Sequence, residues 1–206
     1  SRPLYHSRQA NETIRAGRCL VSLRGFILHP TYRLEAGRPV VHLFGRLETG
    51  ESFVARDRRV APYFFVREAD AGAARAHGAT RQAPAPLRTM RGEPVVRIEL
   101  RAPDETPPLR DALHKAGVPV FEADVRFAMR FLIDRGIRGA VEIDGGEDAG
   151  PGAQATGRAP GAVQRVFIDA GLRPADFRPG PGLLRVLSID LETDARGERI
   201  HSAALA

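Results

Sequence analysis

Between Pro62 and Val125 the apolar pattern switches between strand and helix periods in the order β-α-β-β-α-β, which leaves few arrangements open. Pro62-Tyr63-Phe64-Phe65-Val66-Arg67 reads as a strand. Asp70 stands where it can cap a short helix running through His77 and closed by Gly78. Ala85 to Met90 returns as a strand, Arg91-Gly92-Glu93-Pro94 turns the chain, and Val95 to Arg101 alternates like a strand. Thr106 is a good N-cap with Pro107 at the first helical position. Leu109, Ala112, Leu113 and Ala116 then fall on one helical face, and Gly117 ends the helix. Val118 to Val125 is the closing strand. This is the split βαβ, or ferredoxin-like, unit. Many nucleic-acid binders use it and so do many unrelated proteins, so it speaks to architecture and not to activity.

Strand signals also precede the unit. Gly25 to Leu28 is an apolar run ended by Pro30, Val40 to Arg46 follows, Thr49-Gly50 turns the chain, and Ser52 to Ala55 returns it, as in a β-meander. After the unit, a helix with Asp124 as cap carries Phe127, Phe131 and Leu132 and closes at Gly136. Ala140 to Ile143 and Val166 to Ile168 read as two strands of a hairpin. Between them, Gly145 to Gly161 is rich in Gly, Ala and Pro, the composition of a long mobile tip. Arg173 to Gly182 is a Pro/Gly linker. Beyond it Leu183 to Thr193 is dense in aliphatics, as expected of a central strand buried on both faces. A turn at Ala195-Arg196-Gly197 leads to a further strand from Ile200. The chain stops inside that apolar run, which suggests an incomplete domain, since a free apolar strand edge invites aggregation. The class is α+β.

Composition narrows the function. The chain has 206 residues, 43% of them apolar and 27% charged, enough for a real core. No run approaches the ~18 apolar residues of a membrane span, so no membrane partner is expected. One cysteine, Cys19, leaves no internal disulfide and fits a reducing cytoplasm. It lies in a polar leader, residues 1–21, with no signal-peptide core. The net charge of +6 suits a polyanionic partner. Lys115 is the only lysine, and an arginine excess with abundant Ala, Gly and Pro is also what GC-rich coding produces. The six histidines show no metal-ligand spacing.

Asp190 and Glu192 are the candidate chemistry. Strand side chains alternate faces, so the two carboxylates project to the same side, roughly 7 Å apart, while Ile189 and Leu191 face the core. Two acids so placed can share or flank a hard divalent cation. Two such ions roughly 4 Å apart activate a water and stabilise the leaving oxygen of a phosphodiester. Chance also makes such pairs: Glu68/Asp70 and Glu142/Asp144 have the same spacing.

Leu187-Ser188-Ile189-Asp190-Leu191-Glu192-Thr193 resembles the first exonuclease motif of family B DNA polymerases. Phe121 to Gly136 looks like the segment just before that family's exonuclease domain, and Pro62-Tyr63-Phe64-Phe65-Val66 like its N-terminal Pro-Tyr segment. The insert bearing Val141-Glu142-Ile143 and Phe167-Ile168-Asp169 looks most like bacterial DNA polymerase II. The resemblance covers about residues 22–206. It implies a polymerase N-terminal domain over 22–172 (tip 145–161), a linker at 173–182, and the first strands of an RNase H-like 3′→5′ exonuclease domain at 183–206. It implies primer–template and single-stranded DNA as partners, dNTPs as substrates, a sliding clamp as a further partner, and a place in the cytoplasm with the nucleoid. Asp190 and Glu192 would bind exonuclease metals, two Mg²⁺ or Mn²⁺ ions in the complete site. The other exonuclease motifs and the palm acids are absent, so the chain alone is expected to be inactive. In archaeal members a pocket detects template uracil. The matching positions are Pro62, Tyr63, Val125, Phe127 and Arg130, with Arg126 where the pattern usually has proline. Core packing is the alternative for Tyr63 and Phe127. Two other readings of the chain stand beside this one: an RNase H-like nuclease of another family, and a non-catalytic nucleic-acid-binding module.

Overall fold

The computed structural model describes residues 22–148, 163–184 and 186–205. The leader with Cys19 and most of the Gly145–Gly161 tip lie outside the described residues.

The chain opens with the expected meander of β1 (Ser22–Glu35), β2 (Arg38–Leu47) and β3 (Ser52–Asp57). Pro30 does not end the first strand. A register shift between Ile27 and His29 bulges β1, and beyond it the strand pairs with β2 alone. Pro30 has no N–H to offer a ladder, and only on such a free edge is that tolerated. Ala36 and Gly37, both with positive φ, turn β1 into β2.

Next comes the α/β unit: β4 (Tyr63–Arg67), α1 (Ala71–Ala76), β5 (Arg81–Arg88), β6 (Pro94–Glu99), α2 (Thr106–Lys115) and β7 (Val120–Phe121). Its sheet has the order β5-β6-β4-β7 with every neighbour antiparallel. Ala74 of α1 and Leu113 of α2 share one core with Phe64, Val66 and Ile98, so both helices cover the same face. The final strand is much shorter than Val118 to Val125. The helix caps also differ from expectation. Asp70 makes no cap bond; its carboxylate instead accepts the Arg67 guanidinium at 2.5 Å. Thr106 is the first helical residue rather than the cap, because a 3₁₀ turn at Pro103–Glu105 feeds the helix from already helical backbone.

α3 (Phe127–Asp134) follows; its N-cap position is Arg126 rather than Asp124, with no side-chain cap bond. The chain then returns to the meander through β8 (Ala140–Asp144), β9 (Arg165–Ile168) and β10 (Gly171–Pro174). Arg173 and Pro174 thus belong to a strand, not to a linker. The expected hairpin of Ala140–Ile143 with Val166–Ile168 does not form along those strands. β8 pairs with β1 and β10, whereas β9 runs parallel to β3 at the far side of the meander. The sheet order is β10-β8-β1-β2-β3-β9. β9 and β10 sit at its opposite ends, yet only Asp169 and Ala170 connect them, a reach of at most ~11 Å. The sheet must therefore curl until its ends meet. The chain just past β8 bonds to β9 there: Ile168 N–H donates to Gly146 C=O at 2.7 Å and Asp148 N–H to Val166 C=O at 2.9 Å. Gly145 and Gly146, both with positive φ, swing the chain from its β1 partner to β9. A Cβ on Gly146 would lie 2.6 Å from the Ile168 carbonyl oxygen, so glycine is required there. The Ile168 and Asp148 bonds cover part of the outer edge of β9. Leu43, Leu47, Phe53, Val141, Ile143 and Phe167 form one core with Phe127, Phe131 and Leu132 of α3.

The last element is a hairpin of β11 (Ile189–Thr193) and β12 (Ile200–Leu205). The pattern predicts a strand buried on both faces, but every residue of both strands is exposed, Ile189 and Leu191 included. A two-stranded ribbon has no second layer to bury its aliphatics against. Most of the described residues in regular structure are β, with three short α-helices.

Candidate nucleic-acid groove and acid pair

The barrel and the α/β unit meet along a groove of about 690 Å³. One wall is the bulged half of β1, His29 to Tyr32. Pro62 and Tyr63 at the start of β4 form the floor, and the first turn of α2 and residues 123–130 form the other walls. The groove gathers all six positions singled out from the sequence: Pro62, Tyr63, Val125, Arg126, Phe127 and Arg130.

Their roles divide. Phe127 is 7% exposed and belongs to the barrel core, with its ring edge-on to Tyr32 at 5.6 Å. Packing therefore accounts for its position. Tyr63 is half-buried, and its hydroxyl donates to Asp134 Oδ1 at 2.6 Å. Burial, and then that bond to a carboxylate, pushes the phenol up to about 12, so it stays a donor. Arg130 is buried. It donates to the Glu122 carboxylate at 2.5 Å and to the Glu122 carbonyl at 3.0 Å. Glu122 reaches it from a residue with φ of +59°. Arg126 is exposed at the rim. Proline, tyrosine and valine surfaces with arginines beside them suit a flat apolar group carrying negative charge.

Asp190 and Glu192 lie on β11, opposite Ala204 and Ser202 of β12. Both are exposed, and among the described residues neither takes part in an ion pair. Two carboxylates on one strand face match the oxygen preference of a hard cation. They supply only part of its shell, and no group of three or more His, Cys, Asp or Glu side chains converges among the described residues. No helix among the described residues is long and apolar enough to cross a membrane.

Sequence reading missed several side chains. Arg97 comes to the Tyr63 ring from β6, its guanidinium 4.3 Å from the ring centre, because β4 and β6 pair with Phe65 opposite Arg97. Asp57, 2% exposed, holds Arg59 and, at 3.7 Å, Arg135. Only strand alternation hinted at Arg97, and nothing local pointed to Asp57.

The architecture is thus an α+β chain in which a closed barrel and an antiparallel α/β unit flank an arginine-bearing groove. No protein-family model matches it. The chain is similar to archaeal DNA polymerases. It is 31% identical over 137 residues to the DNA polymerase of Thermococcus sp. (strain 9oN-7), an alignment covering 59% of this chain and 17% of that one. It is 32% identical over 137 residues to that of Desulfurococcus sp. (strain Tok), with the same coverages. Among solved structures it is similar to the family B DNA polymerase of the hyperthermophilic archaeon Pyrobaculum calidifontis, at 27% identity and a TM-score of 0.59. That likeness covers 82% of this chain and 22% of that one. The chain spans less than a quarter of the length of either kind of relative.

Proposed function

We propose that this chain is the amino-terminal portion of a DNA-directed DNA polymerase of family B that also carries 3′→5′ proofreading exonuclease activity. One observation carries the reading: its similarity to DNA polymerases over 137 residues. The likeness to a family B polymerase structure over 82% of the chain supports it. On this reading residues 22–172 form the N-terminal domain and 183–206 open the RNase H-like exonuclease domain. The enzyme acts on primer–template DNA and dNTPs in the cytoplasm, with a sliding clamp as a further partner. The likeness of Val141-Glu142-Ile143 and Phe167-Ile168-Asp169 to bacterial DNA polymerase II supports that type within the family.

Asp190 and Glu192 are the residues that would hold divalent metal in the exonuclease site. A divalent ion such as Mg²⁺ held by the two carboxylates would supply water activation and charge stabilisation at the phosphodiester. The chain's own contribution is placement: β11 alternation sends both carboxylates to one side.

The test is made on the full-length polypeptide that contains this region. Wild type is expected to extend a primer and to excise a mispaired 3′ end. Asp190→Asn with Glu192→Gln is expected to abolish excision and to leave extension intact. Excision that survives the double substitution sinks the assignment of these acids. Absence of primer extension in the wild type sinks the polymerase reading. The 206-residue chain alone is expected to degrade no mispaired primer.

A further inference from the structure

The β5–β6 ribbon runs past the end of its sheet. β4 pairs with β6 only as far as Arg67 opposite Val95, whereas β5 and β6 continue to Arg88 opposite Pro94 and turn beyond it. Gly92 N–H donates to Thr89 C=O at 2.9 Å and Thr89 N–H to Glu93 C=O at 2.9 Å, which makes Met90 and Arg91 the corner residues. The turn is braced by one side chain. The Thr89 hydroxyl donates to Glu93 Oε2 at 3.0 Å and accepts from the Arg91 and Glu93 N–H groups at 3.3 and 3.2 Å.

The tip carries side chains that the turn does not need. Turn corners favour proline, glycine, asparagine and aspartate, which serve the bend itself. Here Met90 is fully exposed, and Leu87 just before it in β5 is half-exposed. Arg88 and Arg91 flank Met90 in sequence and are exposed too. Among the described residues neither takes part in an ion pair. Arg88 gives one N–H to the Gly92 carbonyl at 2.8 Å, which ties its guanidinium to the turn. The carboxylate nearest the tip, Glu93, is taken up by Thr89 and, at 3.4 Å, by Arg67. Two cations and an apolar side chain thus stand at the end of a braced ribbon, without an anion of their own among the described residues.

We propose that the β5–β6 tip docks in the major groove of duplex DNA, with Arg88 and Arg91 on phosphates and Met90 against the base edges. The partner is double-stranded for a physical reason. Unstacked bases seek aromatic faces, and the tip has none. A duplex hides its base faces and lines its groove with phosphates. Its major groove admits a two-stranded β-ribbon and offers thymine methyls for apolar contact. The choice of DNA as the polyanion rests on the polymerase reading. The contact is separate from the groove at Pro62 and Tyr63, because β4 starts there and the ribbon overhangs its other end, at Arg67.

The chain has two methionines, Met90 at the tip and Met129 in the wall of the Pro62–Tyr63 groove. Labelling methionine methyls with ¹³C therefore gives one NMR reporter at each place. A short blunt duplex, added at constant ionic strength, is expected to move the Met90 signal saturably and to leave Met129 in place. Anisotropy of a fluorescent duplex then reads the affinity. Arg88→Gln with Arg91→Gln is expected to weaken binding about tenfold and to reduce the slope of log affinity against log salt by about 2, roughly 0.9 per phosphate contact. Met90→Ser is expected to weaken it severalfold with the slope unchanged. All three side chains are exposed, so the fold is not at risk. Lys115→Gln, at the end of α2, is expected to bind like wild type. The proposal is overturned if the duplex leaves Met90 unmoved, if a single strand or polyglutamate moves it equally, or if the tip variants bind as tightly as wild type. Failure of the polymerase reading looks different: the full-length polypeptide then extends no primer while the Met90 shift persists.

Discussion

Replacing Gly146 by alanine probes the closure of the barrel. Its φ is +69°, a region that costs an L-residue roughly 1–2 kcal/mol. The added methyl would also lie 2.6 Å from the Ile168 carbonyl oxygen and 2.9 Å from the Ala170 backbone. Those neighbours are main chain and cannot rotate aside, so β8 and β9 must part. Parting them weakens the two closing bonds, Ile168 N–H to Gly146 and Asp148 N–H to Val166, each worth about 1 kcal/mol net. The expected loss is about 3–4 kcal/mol. With a urea dependence of about 2 kcal/mol per molar, the unfolding midpoint falls by roughly 1.5–2 M. Gly37→Ala is the matched control. Its φ of +76° is similar, but nothing lies within 4 Å of the new Cβ, so the conformational cost stands alone. That costs about 1–2 kcal/mol, a drop of about 0.5–1 M. Circular dichroism read against urea measures both. Equal midpoint drops for the two variants would refute the closed barrel as the source of the larger loss.

Two further outcomes are expected. Leu113, 0% exposed, lies in the core of the α/β unit, and Leu113→Ala is expected to cost about 2–5 kcal/mol in the same urea assay; a loss below 1 kcal/mol would mean that α2 does not seal that core. Burial holds the imidazole of His42 below its ordinary 6.5, although its hydrogen bond to the Glu35 carboxylate pulls it upward. The unfolded chain therefore takes up a proton before the folded one does, so this contribution is whole above pH 6.5 and is lost as pH falls toward the folded value. The urea midpoint is expected to decline more between pH 7.5 and 5 in wild type than in His42→Gln, and parallel declines would remove His42 as the cause.

Much of the fold was legible because local rules governed it. Turns at Gly50 and Gly92 and helix ends at Gly78, Gly117 and Gly136 coincide with positive φ. The caps were legible only roughly. Thr106 and Asp70 have the right chemistry, but the 3₁₀ turns before α1 and α2 bring the chain in already helical. Pairing was the larger gap. The strand pattern at Ala140–Asp144 and Arg165–Ile168 is plain, but adjacency in sequence suggested a hairpin, whereas each strand joined an opposite side of the meander. The groove was legible only through the likeness of its residues to a known family.

The sequence by itself determined the succession of strands and helices, the glycine-dependent turns and the same-side placement of Asp190 and Glu192, because these follow from backbone sterics and side-chain periodicity within a few residues. Tertiary structure decided that a three-stranded meander becomes a six-stranded closed barrel, that the β11–β12 aliphatics stand exposed, and that residues as far apart in sequence as Tyr32 and Arg130 line one groove. Those outcomes depend on which surfaces find a partner layer, and periodicity reports the face of a strand but not what meets it.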